Sequence, residues 1–134
     1  MHNHLSVGLI GEDAACDYLA SHGYSILERN SRTKFGEIDI VASAPDKTLV
    51  VVEVKTLTRA GDLSPEDNLT RSKFFKLSRM AQFYANAHPE LVDDSAGWRI
   101  DLISIILDPN PIDSPAIRIG KNNVVARHYK NISG

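Results

Sequence analysis

A chain of 134 residues that is 43% hydrophobic and 24% charged has the composition of one globular domain, long enough to bury a core. A formal net charge of −2 and a sequence pI near 6.2 exclude a protein that coats nucleic acid nonspecifically; they leave room for a nuclease whose acids hold metal. The single Cys16 makes no internal disulfide, no apolar run approaches the roughly 18 residues of a membrane span, and Met1-His2-Asn3-His4 begins no signal peptide, so the expectation is a cytoplasmic protein.

In chain order, residues 5–22 read as a helix ended by Gly23. Its stripe Gly8, Gly11, Ala15, Leu19 is small enough to approach a sheet closely and carries Glu12 with it. An acid on such a stripe needs a partner. Residues 24–29 form a short strand, and two further strands follow over 36–42 and 49–56, joined by the turn-like 43–48. The polar stretch 57–69, with Gly61 and Pro65, is long enough to be a mobile or functional loop. A second helix is predicted over 70–87, stopped before Pro89, with Phe74, Leu77, Ala81 and Tyr84 at three-four spacing. The run 98–107 is apolar on both faces, as in a strand buried between layers. With 49–56 and 70–87 it makes a right-handed βαβ crossover. Short edge strands over 115–119 and 123–128 complete a C-terminal region, 108–134, that ends in a tail. The expected fold is α/β, a mixed sheet flanked by helices, with residues 1–134 forming one domain.

Within these apolar strands stand three charges, Asp39, Glu53 and Lys55. Strand side chains alternate, so Glu37, Asp39 and Val41 share one face of the first strand, and Val51, Glu53 and Lys55 one face of the second. A turn centred on Asp46 sets Asp39 opposite Glu53. Opposed carboxylates repel. A hard divalent cation offsets that repulsion, since Mg²⁺ binds one or two carboxylates together with water and substrate phosphate. A protonated carboxyl or a nearby Arg would also do so, and a Glu53–Lys55 ion pair on a solvated face is the structural alternative. Phosphodiester hydrolysis needs a metal to neutralise phosphate and lower the pKa of the attacking water, and a lysine one step away to position that water or stabilise developing charge.

The stretches Gly11-Glu12…Ala15…Tyr18-Leu19, Gly23-Tyr24…Ile26-Leu27…Arg29-Asn30…Arg32, Gly36-Glu37-Ile38-Asp39 and Val52-Glu53-Val54-Lys55-Thr56, continued by Lys73, Leu77, Ala81, Tyr84 and Arg99-Ile100-Asp101, cover nearly the whole chain. On these stretches the chain resembles the YraN-like family of small bacterial proteins, regarded as nucleases of the restriction-endonuclease-like PD-(D/E)xK superfamily. The resemblance implies an α-β-β-β-α-β core similar to that of archaeal Holliday-junction resolvases. It implies that Glu12, Asp39 and Glu53 ligate Mg²⁺ or Mn²⁺ with the carbonyl of Val54, and that Lys55 is the catalytic lysine. Leu57 stands where the family often carries Arg, a role that falls to Arg59 here.

Arg29, Arg32 and Lys34 cluster before the site strand and can grip phosphates. Lys73, Lys76 and Arg79 recur at three-residue spacing; a solvated helix face explains them equally, although Lys73 fits the family pattern. Gln82 and Tyr84 are similar to the helical Gln–Tyr pair of related nucleases, with Tyr84 read as core. His2 and His4 could bind metal, though they read first as a polar, frayed N-terminus; His22, His88 and His128 show no ligand spacing, Trp98 reads as packing, and Asp101 reads as a buried acid in need of a partner. The expected function is a Mg²⁺- or Mn²⁺-dependent DNA endonuclease acting in repair or recombination on branched or single-stranded DNA. Paired cuts would require a homodimer. The alternative is a nucleic-acid-binding or scaffold protein that keeps the fold with little catalysis.

Overall fold

The computed structural model describes residues 4–57, 69–107, 117–119 and 124–132. Helix α1 (His4–Ser21) is followed by β1 (Ser25–Thr33), β2 (Gly36–Ser43) and β3 (Leu49–Leu57). Helix α2 (Arg71–Ala87) and a single 3-10 turn (Pro89–Leu91) lead to β4 (Trp98–Ile106), β5 (Ile117–Ile119) and β6 (Val124–Tyr129). The strands form one mixed sheet in the order β1-β2-β3-β4-β6-β5. Only β3 and β4 run parallel, as an intervening helix requires; the other pairs are antiparallel. This is the expected α/β core.

Local chemistry sets the boundaries. Thr70 caps α2, its hydroxyl accepting from Lys73 N at 3.2 Å, and Pro89 prevents continuation beyond His88. The β2–β3 turn centres on Asp46, whose Oδ1 accepts from both the backbone and the hydroxyl of Thr48 at 3.0 and 2.7 Å. It pairs Ile40 with Val52, Val41 with Val51 and Ala42 with Val50, the register expected from the sequence.

Two expectations are corrected. Strand β1 runs on to Thr33, past the expected end at residue 29, because Ser31, Arg32 and Thr33 pair with Ile38, Glu37 and Gly36 across a tight turn. And β6 is no edge strand: it lies between β4 and β5, leaving only β5 at that margin. Positions 58–68, with Arg59 and most of the expected 57–69 loop, lie outside the described residues, as do 108–116 and His2. No helix among the described residues is long and apolar enough to cross a membrane.

The two helices cover opposite faces. On one, Ala15, Tyr18 and Leu19 of α1 pack on Ile40, Ala42, Val50, Val52, Ile103 and Ile105. On the other, Leu77, Met80, Ala81 and Tyr84 of α2 pack on Ile38, Val41, Leu49, Val51 and Ile100. Gly11 sets the distance of α1 from β3, since a Cβ there would collide with the Thr56 side chain. At Gly8 a Cβ would meet nothing within 4 Å. Replacing a helical Gly by Ala gains about 0.5–1 kcal/mol of backbone free energy, whereas overpacking costs about 1–3 kcal/mol. In urea melts Gly8→Ala is therefore expected to stabilise by about 0.5–1 kcal/mol and Gly11→Ala to destabilise by about 1 kcal/mol. Equal effects at both positions would show that α1 does not rest on Thr56.

Candidate active site

The site lies where β2 parts from β3. The β2–β3 ladder ends at Ile40 and Val52, one step short of the expected pairing of Asp39 with Glu53. Here alternation breaks down. Ile38 and Ile40 are two residues apart, yet they pack in clusters on opposite sides of the sheet. Between them the Asp39 carboxylate turns toward β3, and its Oδ2 accepts the backbone N–H of Val54 at 2.8 Å. A side chain thus replaces the ladder partner that Val54 loses when the strands splay. In an extended strand a residue's N–H and C=O point to the same edge, so the Val54 carbonyl faces the same gap.

Glu12 arrives from α1 by way of Gly11. Its Oε1 is 3.9 Å from Arg29 Nη2, which makes its closer ion pair, 2.8 Å, with Asp13. Asn30 sits between carboxylates in the left-handed region (φ 52°). With its amide nitrogen oriented toward them, it donates to Glu12 Oε1 at 3.0 Å and to Glu37 Oε1 at 3.2 Å.

The acids raise one another. Burial and then Asp39 lift the Glu12 carboxyl above its ordinary value, against the opposing pull of Arg29 and Asn30. Burial likewise raises Asp39, with Glu37 adding to it and the Val54 N–H working against it. Glu53 bears the largest effect: burial first, then Asp39, push it up to about 7, with Glu12 adding and Lys55 and Lys73 opposing.

Cations approach Glu53 from the other side. It lines a cavity of about 230 Å³ with Glu37, Lys73 and Lys76, closed by Leu77 and Met80. Lys55 follows Glu53 on the same side of β3 and is exposed. Among the described residues, no three His, Cys, Asp or Glu side chains form a ready-made cage. The oxygen donors present fit a hard cation that keeps several waters and takes only one or two carboxylates, which is the habit of Mg²⁺. Asp39 and Glu53 are the carboxylates that would hold it, with the Val54 carbonyl, and Glu12 stands beside them.

Residues 11–105 match the sequence pattern of the family described as Uncharacterised protein family UPF0102. The chain belongs to the UPF0102 family. A UPF0102 protein of Caldicellulosiruptor bescii is 37% identical over 118 residues, covering 88% of this chain and 87% of the relative. One from Persephonella marina is 44% identical over 101 residues (74% and 82%), and one from Mycobacterium bovis is 38% identical over 109 (78% and 80%). This is the YraN-like family to which the motifs pointed. The matched span holds Glu12, Asp39, Glu53, Lys55 and Asp101, and stops before β6.

In this UPF0102 chain the other sequence candidates divide. Lys73 joins the site, whereas Arg29 is occupied by Asp13 and Glu12. Arg32 is exposed, 3.8 Å from Glu37, and Lys34 lies over the rings of Phe35 and Phe83. Tyr84 is core: it is buried, stacks on His88, and donates to Glu28 Oε1 at 2.8 Å. Asp101 has partners in full and stands apart from the three site acids. It accepts from Arg99 Nε at 2.9 Å, Arg99 Nη2 at 3.2 Å, His128 Nε2 at 2.7 Å and Asn131 N at 2.9 Å. A carboxylate only accepts, so His128 donates from Nε2 there, and its Nδ1 lies 2.9 Å from the Tyr18 hydroxyl. Sequence reasoning missed Asn30, Glu37 and Lys76 as neighbours of the site. The available signals were the place of Glu37 on the face of Asp39 and the three-residue spacing of Lys73 and Lys76.

Proposed function

We propose that this protein is a Mg²⁺- or Mn²⁺-dependent DNA endonuclease of the PD-(D/E)xK superfamily. What supports the reading is that Asp39 of β2 raises the carboxyls of both Glu12 of α1 and Glu53 of β3, so that acids from three elements act on one another. Their ionised forms disfavour one another, and Lys55 stands beside them. A binding module gains nothing from acids turned toward anionic DNA. A bound divalent cation would neutralise phosphate charge and acidify the attacking water. The chain's own groups do the rest. Asp39, fixed by the Val54 N–H, and Glu53 orient the phosphate's surroundings. Lys55 holds or deprotonates the water, and Lys73 and Lys76 attract the phosphate across the cavity. One such centre cuts one strand at a time, so coupled cuts in a duplex or junction need two copies.

The test is incubation of the purified protein with labelled linear, flapped and branched DNAs in Mn²⁺, Mg²⁺ or EDTA. Metal-dependent cleavage is expected, with Lys55→Ala lowering it by about a hundredfold or more while DNA binding persists. The net charge of −2 favours the alternative of a weakly catalytic DNA-binding protein. Metal-independent binding without cleavage of any of these DNAs would establish that alternative.

A further inference from the structure

A second cavity, of about 440 Å³, opens on the outer side of α2 and is lined by Lys34, Phe35, Phe75, Arg79, Gln82 and Phe83, with no acidic residue in its described lining. Phe75 is 63% exposed and Phe83 36%, unusual for rings that the core could have taken. They are ordered by cations: the Arg79 guanidinium lies 4.3 Å over Phe35 and 5.9 Å from Phe75, and Lys34 Nζ lies 5.3 and 5.5 Å over Phe35 and Phe83. Phe35 and Phe83 meet edge to face at 5.9 Å. This cavity and the one at Glu53 are lined by neighbouring residues of the chain. Phe35, Phe75 and Arg79 line the first, while their chain neighbours Gly36, Lys76 and Met80 line the other.

We propose that this face is a stacking platform for an unpaired DNA strand leading into the Glu53 cavity. Exposed ring faces bind bases regardless of sequence, and cations beside them bind the phosphates. Bases inside a duplex already stack on one another and are not offered to such rings, so the platform selects unpaired nucleotides. The choice of DNA rests on the nuclease reading above, whereas the binding itself needs neither metal nor catalysis.

The experiment is fluorescence anisotropy in EDTA with a labelled oligodeoxythymidylate of about a dozen nucleotides, a duplex of the same length, and the matching RNA. The single strand is expected to bind tighter than the duplex. Phe75→Ala and Phe83→Ala are each expected to weaken strand binding roughly five- to hundredfold. Lys34→Ala is expected to lower the slope of log affinity against log salt by about 0.7, while Phe75→Ala leaves that slope unchanged. The melting temperature of Phe75→Ala should match that of the wild type, which separates lost stacking from lost folding. Strand binding that survives while every cleavage assay fails would sink the nuclease reading and leave the platform standing. Equal affinity for strand and duplex, exclusive binding of RNA, or wild-type affinity in Phe75→Ala overturns the proposal. So does loss of a dimer in Phe75→Ala without loss of strand affinity, which would make the face a contact between copies.

Discussion

Glu53→Gln is expected to raise the stability of the metal-free protein at pH 8 while abolishing cleavage. The Glu53 carboxyl is pushed up to about 7 in the folded chain, from an ordinary value near 4.5, by burial and then by Asp39. A group with a raised folded pKa contributes its full stability below its unfolded pKa, and loses it as pH climbs through the folded one. For Glu53 that window runs from about 4.5 to about 7. At pH 8 the charged form opposes folding by on the order of 3 kcal/mol, reduced by solvent on the open side of the cavity. Gln removes that charge and keeps the shape. Urea melts in EDTA should show a gain for Glu53→Gln at pH 8 and almost none at pH 4.

Metal should reverse the comparison. A cation that binds only the folded state adds about 2.7 kcal/mol at a hundredfold excess over its Kd. Mn²⁺ should therefore raise the melting temperature of the wild type and not of an Asp39→Ala/Glu53→Ala double variant. Asp39→Asn keeps an oxygen for the Val54 N–H and should leave metal-free stability nearly unchanged. If Glu53→Gln instead lost stability at pH 8, Glu53 would be a structural acid and the metal site would fall with it.

Asp101 is expected to behave in the opposite way. It is fully buried, as Glu53 is not, and its surroundings were built for a negative charge. Burial alone would raise its pKa, but the His128 hydrogen bond, the Arg99 fork and charge, and the Asn131 N–H together hold it below the ordinary value. Its stabilisation is present above the unfolded pKa and is lost as pH falls through the folded one. Asp101→Ala would strand the Arg99 guanidinium, the His128 N–H and the Asn131 N–H. Breaking a buried charge pair from one side costs about 3–5 kcal/mol, a large share of the roughly 5–15 kcal/mol that holds a domain folded. A loss of that size in the unfolding free energy from denaturant melts is expected at pH 7, narrowing toward low pH. A cost below about 1 kcal/mol would mean that the network ties β4 to β6 and Tyr18 in name only.

These two acids mark the limit of what residue type conveys. Both read as charges in apolar strands, and both break the same local rule. Only their neighbours separate them. Asp101 meets an Arg two positions away on its own strand, and a His and a backbone N–H from the far end of the chain. Glu53 meets other carboxylates. The pairing of Asp101 with His128 spans 27 residues and had no local signal, since neither the spacing nor the composition around His128 suggests it.

By itself the sequence determined the elements governed by short-range rules. The turn at Asp46 and the alternating strands beside it fixed the register that pairs Ala42 with Val50 and Ile40 with Val52, because a side-chain period of two leaves no freedom once the turn is placed. Thr70 and Pro89 bounded α2, and the apolar run of β4 specified a strand covered on both faces. The tertiary structure decided what depends on groups distant in the chain. Residues 30–33 are too polar to read as strand; they join β1 because β2 supplies a pairing partner, and because an edge strand tolerates polar side chains. Strand β6 is interior because β5 pairs along its outer side. Ile38 and Ile40 turn to opposite faces, and Asp39 reaches Val54, only because β2 leaves β3 after Ile40. The alternation of a strand is local and can be read along the chain. Where a strand stops alternating is set by what packs on it from both sides, and those contacts come from α1 and α2.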